Sequence, residues 1–150
     1  MALEAEVIGL EKLQEAIKTF EKMNKSPISN ESEKEILNRI GVAWTGTIKE
    51  NIYRGIDYNG KRLLEPKKRD GRALLDTGRL VGSINPKVQG NVLSIGTPVY
   101  YSKWVNDGTP KMKPRPYIPT KENQIPDRWW EVAESILLMV IEEDINDKLK

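Results

Sequence analysis

Histidine and cysteine are both missing from this 150-residue sequence. Without cysteine there are no disulfides, no thiol nucleophile and no thiolate zinc site. Without histidine the commonest general base and the commonest transition-metal ligand are gone. Any catalysis would have to rest on carboxylates, lysine, tyrosine or hydroxyl groups. No long apolar run is present either. The longest, ILLMVI at 136–141, is far shorter than the ~20 residues that a bilayer-spanning helix needs. The stretch MALEAEVIGLEKL is acidic and amphipathic rather than basic and then apolar, so it does not read as a secretory signal. The chain is expected in the cytoplasm of the cell that makes it. Internal repeats and low-complexity tracts are absent as well.

What remains is an ordinary globular composition, 38% hydrophobic and 31% charged, long enough for a core of its own and expected to form one domain over 1–150. Charge is unevenly placed. Residues 1–53 hold 7 basic and 9 acidic side chains, residues 54–121 hold 14 and 5, and residues 122–150 hold 3 and 8. The net charge of +2 therefore hides a middle third at +9 between flanks at −2 and −5. Such polarity suits nucleic acid, or acidic neighbours in an assembly.

Apolar residues at three- and four-residue steps from Leu3 to Phe20 predict an amphipathic helix over Leu3 to Met23. Pro27 breaks it. Asn30 with Glu33, or Ser32 with Glu35, then offers a capping box for a second helix. Its expected stripe is Ile36, Ile40, Ala43, Thr47, Ile48 and Ile52 with Trp44 close by, ending near Arg54 and Gly55. Residues 55–73 read as a long, mobile, basic loop with turn signals at Asn59-Gly60 and Asp70-Gly71. Asp76 or Thr77 is placed to cap a short helix, Arg79 to Ile84, stopped by Asn85-Pro86. Two strands, Lys87 to Gln89 and Asn91 to Ile95, flank a turn at Gly90-Asn91. Thr97-Pro98 predicts the start of another short helix. The proline- and lysine-rich segment at 107–119 is the second stretch expected to be irregular and mobile, and a last helix begins at Asp127. The fold class expected is α+β, a small antiparallel sheet packed with N-terminal, central and C-terminal helices.

The most tightly punctuated segment is LLDTGRLVGSI at 74–84. A catalytic loop, a phosphate cradle and a structural corner are all conceivable there. A P-loop needs its glycines followed by lysine and a hydroxyl residue after a buried strand, and both are lacking. Asp76, Thr77 and Gly78 fit a helix start better. Asp57, Glu65, Asp70 and Asp76 are the candidates for a carboxylate site. They are interleaved with Arg62, Lys67, Lys68 and Arg69, which favours solvated ion pairs over a catalytic pair. Lys61, Arg62, Lys67, Lys68, Arg69 and Arg72, with Lys111, Lys113 and Arg115, form the candidate phosphate- or partner-contacting set. Tyr58 and Tyr117 do not alternate with these cations as a base-stacking platform would. Trp129 and Trp130 are adjacent, so on a helix they diverge by ~100°. One is expected in the core and Trp130 is a candidate interface residue. ILLMVI leaves no wet face, which predicts deep burial or a second subunit.

Three of these segments together resemble one family. They are the N-terminal GLEKLQEAI, the corner LLDTGRLVGSI, and VYYSKWVNDGTPKMKPRPYIP ahead of the last helix. The combination is similar to the tail-completion, or virion-morphogenesis, proteins of long-tailed bacteriophages, the head–tail connector group of HK97-like and Mu-like phages. Tyr101, Ser102, Val105, Gly108, Thr109, Lys111, Met112, Arg115, Pro116 and Tyr117 fall on the family's pattern. Asn106 stands where an acid is common and Asp107 where an aromatic is common. Mu-like relatives often carry histidine here, and this chain has none.

The resemblance implies a structural, non-enzymatic phage or prophage protein without a cofactor. It would complete the tail and join it to the head as a ring in the virion, after residing before assembly in the cytoplasm of the infected or lysogenic bacterium. Its partners would be copies of itself and neck and tail-tube proteins, with non-specific contact to DNA in the channel and none to membrane. In that setting 74–84 is a corner: Thr77 and Gly78 set the turn, Leu80 and Ile84 anchor it, and Arg79 faces out. A small nucleic-acid-binding module using the same basic loops is the alternative.

Overall fold

The computed structural model describes residues 15–19, 21–22, 29–63, 78–90, 92–120 and 124–149. Its elements are helix α1, seen over residues 15–19 and 21–22, then α2 (Asn30–Arg54), α3 (Arg79–Ser83), β1 (Asn85–Gln89), β2 (Val92–Gly96), α4 (Ser102–Asp107) and α5 (Asp127–Lys148). The fold is α+β. α2 is its spine, carrying the β-hairpin and α5.

α2 starts one residue before the nearer of its two expected caps. Ser29 is extended (φ −66°, ψ 153°) and its hydroxyl accepts from the Ser32 amide at 3.1 Å. Asn30 and Ser32 are already helical, and the Ser32 hydroxyl instead donates to Asp144 Oδ1 of α5 at 3.2 Å. A cap needs non-helical backbone, which only Ser29 supplies. At the other end Gly55 turns left-handed (φ 72°). The Ile56 amide reaches the Asn51 carbonyl at 2.9 Å and the Gly55 amide that of Ile52 at 3.1 Å, closing the last turn.

Ile36, Ile40, Trp44, Ile48 and Ile52 recur every four residues and are all buried. Trp44 lies within the stripe rather than beside it, and Ala43 and Thr47 are only half-buried at its margin. At Gly41 the hairpin packs directly on α2. A Cβ there would sit 2.8 Å from Pro86 Cβ and 2.8 Å from Leu93 Cδ1. Gly41→Ala gains up to ~1 kcal/mol of helix propensity, whereas overpacking a tight contact costs ~1–3 kcal/mol. The clash wins, and we expect a net loss of stability, read as a lower denaturant midpoint at unchanged slope.

The hairpin pairs antiparallel from Asn85 opposite Gly96 to Gln89 opposite Val92, with Gly90 at φ 60° in the turn. β1 begins earlier than expected and includes Pro86. In a two-stranded sheet both strands are edges, so a missing N–H is tolerated. Leu93 and Ile95 are buried while Val92 is exposed.

α5 runs antiparallel to α2. Ser32 meets Asp144 at one end, and Trp44 Nε1 donates to the Trp129 carbonyl at 2.9 Å at the other. Both tryptophans of α5 are buried and both face Trp44: Trp129 tilted at 5.9 Å, Trp130 edge-on at 5.4 Å. The expectation that Trp130 serves an interface is thereby corrected, because its ring is buried within the chain against Trp44. ILLMVI divides. Leu137, Val140 and Ile141 are buried, whereas Leu138 and Met139 are exposed. Among the described residues no helix is long and apolar enough to cross a membrane. Arg39 bridges Glu35 at 2.6 Å and Glu143 at 3.1 Å, which raises its pKa through hydrogen bonds to Glu143 and then Glu35. Exposed pairs of this kind add little stability.

Candidate functional site

The corner at 74–84 is visible from Gly78 onward; Asp76 and Thr77 lie outside the described residues. Gly78 itself sits at the helix start (φ 72°, ψ −1°), with no side chain capping α3 among the described residues. A left-handed backbone at that point is what glycine supplies cheaply. Leu80 and Ile84 are buried, as anchors should be, and Arg79 is exposed. α3 stops at Ser83, one residue short of expectation, because Ile84 is already extended (ψ 120°) and feeds β1.

Ser83 Oγ and Thr97 Oγ1 lie 2.6 Å apart, tying the end of α3 to the end of β2. Thr97 Oγ1 also accepts from the Val99 amide at 3.1 Å. Thr97 thus builds a local turn instead of capping α4, which starts only at Ser102. A cleft of about 290 Å³ opens beside this pair, lined by Ser83, Pro86, Lys87, Ser94, Thr97 and Pro98 among others.

Two basic segments flank the core. In the first, Ile56 bridges Arg62, and Asp57 Oδ1 accepts from the Asn59 amide at 2.9 Å and the Lys61 amide at 2.8 Å. Gly60 takes φ 89° in the turn. Residues 55–63 therefore form a tight turn on the end of α2, at the Asn59-Gly60 pair expected to turn. Asp57, a candidate carboxylate, is buried and engaged in that turn. Glu65, Asp70, Lys67, Lys68, Arg69 and Arg72 lie outside the described residues. Among the described residues no three His, Cys, Asp or Glu side chains gather as a metal site.

The second segment, also expected to be mobile, is held along its length. Gly108 ends α4, its amide on the Trp104 carbonyl at 2.8 Å. Thr109 and Met112 bridge each other, and the Arg115 amide reaches back to the Val105 carbonyl at 2.8 Å. Asn106, buried, accepts from the amides of Tyr117 at 3.0 Å and Ile118 at 3.1 Å. The acceptor role is one a carboxylate could also fill.

The two segments meet. The Tyr58 amide donates to the Pro116 carbonyl at 3.2 Å, and Arg128 Nη2 of α5 donates to the Tyr58 carbonyl at 2.9 Å. Lys61, Arg62, Lys111 and Lys113 are exposed around this junction's two turns, and Arg115 is half-buried. Tyr101, half-buried, leads into α4. Sequence reasoning missed Asn106 as the clamp and Tyr58–Arg128 as the tie. Side-chain-to-backbone bonds across more than ten residues leave no periodic signal.

Tyr117 is buried and its hydroxyl donates to the Ser102 carbonyl at 3.3 Å. Burial pushes the phenol pKa well above its ordinary range. The unfolded chain releases this proton near pH 10 while the folded chain keeps it, so stability is intact below pH 10 and falls above it. The slope is at most about 1.4 kcal/mol per pH unit. Tyr117→Phe should remove that alkaline slope, measured as urea midpoint against pH from 8 to ~11. An unchanged profile would show that other groups carry it.

Comparison of the chain with protein-family models, with curated proteins and with solved structures gives no match.

Proposed function

We propose that the chain is a structural protein of phage or prophage assembly that completes the tail and joins it to the head, acting as a ring in the virion. The observation that carries this reading is the segment from Tyr101 to Tyr117. Its sequence resembles the tail-completion family, and its residues form one clamped unit: Tyr101 leads into α4, Gly108 ends it, and Asn106 fastens Tyr117 and Ile118. Function here is binding geometry, with the basic turns presenting cations to acidic neighbours or to DNA in the channel. Electron microscopy of lysates from the parent phage lacking this gene is the test. Filled heads beside detached tails are expected; intact infectious virions would overturn the reading. Glutamate at Lys67, Lys68 and Arg69 together should impair joining by the same assay.

One observation favours a second reading, a nucleic-acid-binding module. Lys61, Lys111 and Lys113 are exposed on turns tied to each other through Tyr58 and Pro116. That reading requires the isolated chain to bind duplex DNA with an affinity that falls steeply with salt.

A further inference from the structure

Two exposed surfaces of the chain are chemically complementary. The first is on and after α4. Tyr100 and Trp104 are 60% and 51% exposed and stack edge-on at 6.2 Å, with Tyr101 against Tyr100 at 5.4 Å. Lys103 is exposed on the same helix, and Lys111 and Lys113 on the turn that folds back onto it. None of these three lysines has a carboxylate partner among the described residues.

The second surface is the outward half of α5. Val132, Leu138, Met139 and Ile145 are 44%, 46%, 50% and 37% exposed. At 100° per residue they share a half-turn with Glu131, Glu134 and Glu142. Those glutamates are exposed and, among the described residues, have no cation partner. Exposed aromatics with three exposed lysines on the same and the adjoining segment thus answer exposed aliphatics that share their half of α5 with three exposed glutamates. Aromatic anchors with a polar rim are the usual composition of an interface centre.

We propose that a second copy of this chain docks its α5 face against the α4 aromatic patch of the first. This rests on the ring reading above and deepens it. Different patches meet, so the contact is heterologous: one copy keeps its α4 patch free and the other its α5 face, and repetition closes a ring or extends a filament. Trp104 and Tyr100 lie against Leu138 and Met139, and Lys103, Lys111 and Lys113 face Glu131, Glu134 and Glu142.

The absence of cysteine makes the test clean. Two single variants, Lys103→Cys and Ser135→Cys, are purified as full chains, mixed at high concentration in low salt and treated with a short bismaleimide. Cross-linked dimer in the mixture at about tenfold or more over either variant alone is expected, one decade being ~1.4 kcal/mol of association. Adding Tyr100→Ala and Trp104→Ala to the first variant should return the yield to the single-variant level. A mixture no better than the single variants would overturn the proposal. So would equal cross-linking within one variant, which would mean a two-fold contact. Absent cross-linking combined with duplex-DNA binding that requires Trp104 would assign the patch to nucleic acid. Failure here with detached tails in the gene deletion would leave the connector function standing on other surfaces. Success here with intact virions would leave the self-association standing without that function.

Discussion

Trp129→Ala is expected to lower stability by about 3–5 kcal/mol, the usual range for emptying a large aromatic site in a core. Trp129 is 2% exposed and lies against Trp44. Trp44 in turn touches Trp130 and hands its indole N–H to the Trp129 carbonyl. Removal of the ring leaves Trp44 without one wall, and Trp44, itself a rigid indole, cannot collapse far into the void. Trp129→Phe should cost far less than ring area alone predicts. The Trp129 indole nitrogen is buried with no hydrogen-bond partner among the described residues, and an unmade hydrogen bond in the core is a standing penalty. Phenylalanine fills much of the space and deletes the orphan donor. Urea denaturation of both variants checks this, and a Trp129→Phe loss as large as that of Trp129→Ala would refute the argument.

The same three tryptophans mark what the sequence could and could not tell. Periodicity placed Ile36, Ile40, Ile48 and Ile52 on one face because a helix imposes its own repeat on any residue that must be dry. The hairpin was legible through its turn at Gly90-Asn91, and α5 starts at Asp127 as expected. Trp130 was misread. Adjacency gave the 100° divergence correctly, but whether both directions are dry depends on a partner helix 85 residues away, which no local rule sees. Caps were misplaced by one to four residues, Asn30 or Ser32 being expected for Ser29 and Thr97 for Tyr101. Several hydroxyls near each helix start compete for the same amides, and tertiary bonds such as Ser32 to Asp144 decide among them. The candidate site was legible as composition and not as geometry. Lys61 and Lys111 announced themselves as charge, while Asn106, Tyr58 and Arg128, which bring their turns together, carry no pattern.

Gly108→Ala is expected to be the most damaging small substitution in the described chain, at roughly 3–5 kcal/mol when strain and overpacking are combined. Gly108 has φ 78° and ψ 173°, a region essentially reserved for glycine. A Cβ would also meet Pro114 N at 2.8 Å, Met112 O at 2.9 Å and Pro114 Cδ at 2.9 Å. The first two are backbone atoms and the third belongs to a proline ring, so no side chain can swing aside. The turn from Thr109 to Arg115 must open, and with it the purchase of Asn106 on the Tyr117 and Ile118 amides. Gly55→Ala is the control. Gly55 has a comparable φ of 72° but nothing within 4 Å of the added carbon, so it should show left-handed strain alone, about 1–2 kcal/mol. Amide exchange separates the two. Gly108→Ala should strip protection from Tyr117 and Ile118 before the core unfolds, whereas Gly55→Ala should leave those amides protected. Equal stability losses in the two variants would mean that the approach of Pro114 to Gly108 is not rigid. The clamp would then yield instead of holding the aromatic patch and the basic turns in one fixed relation.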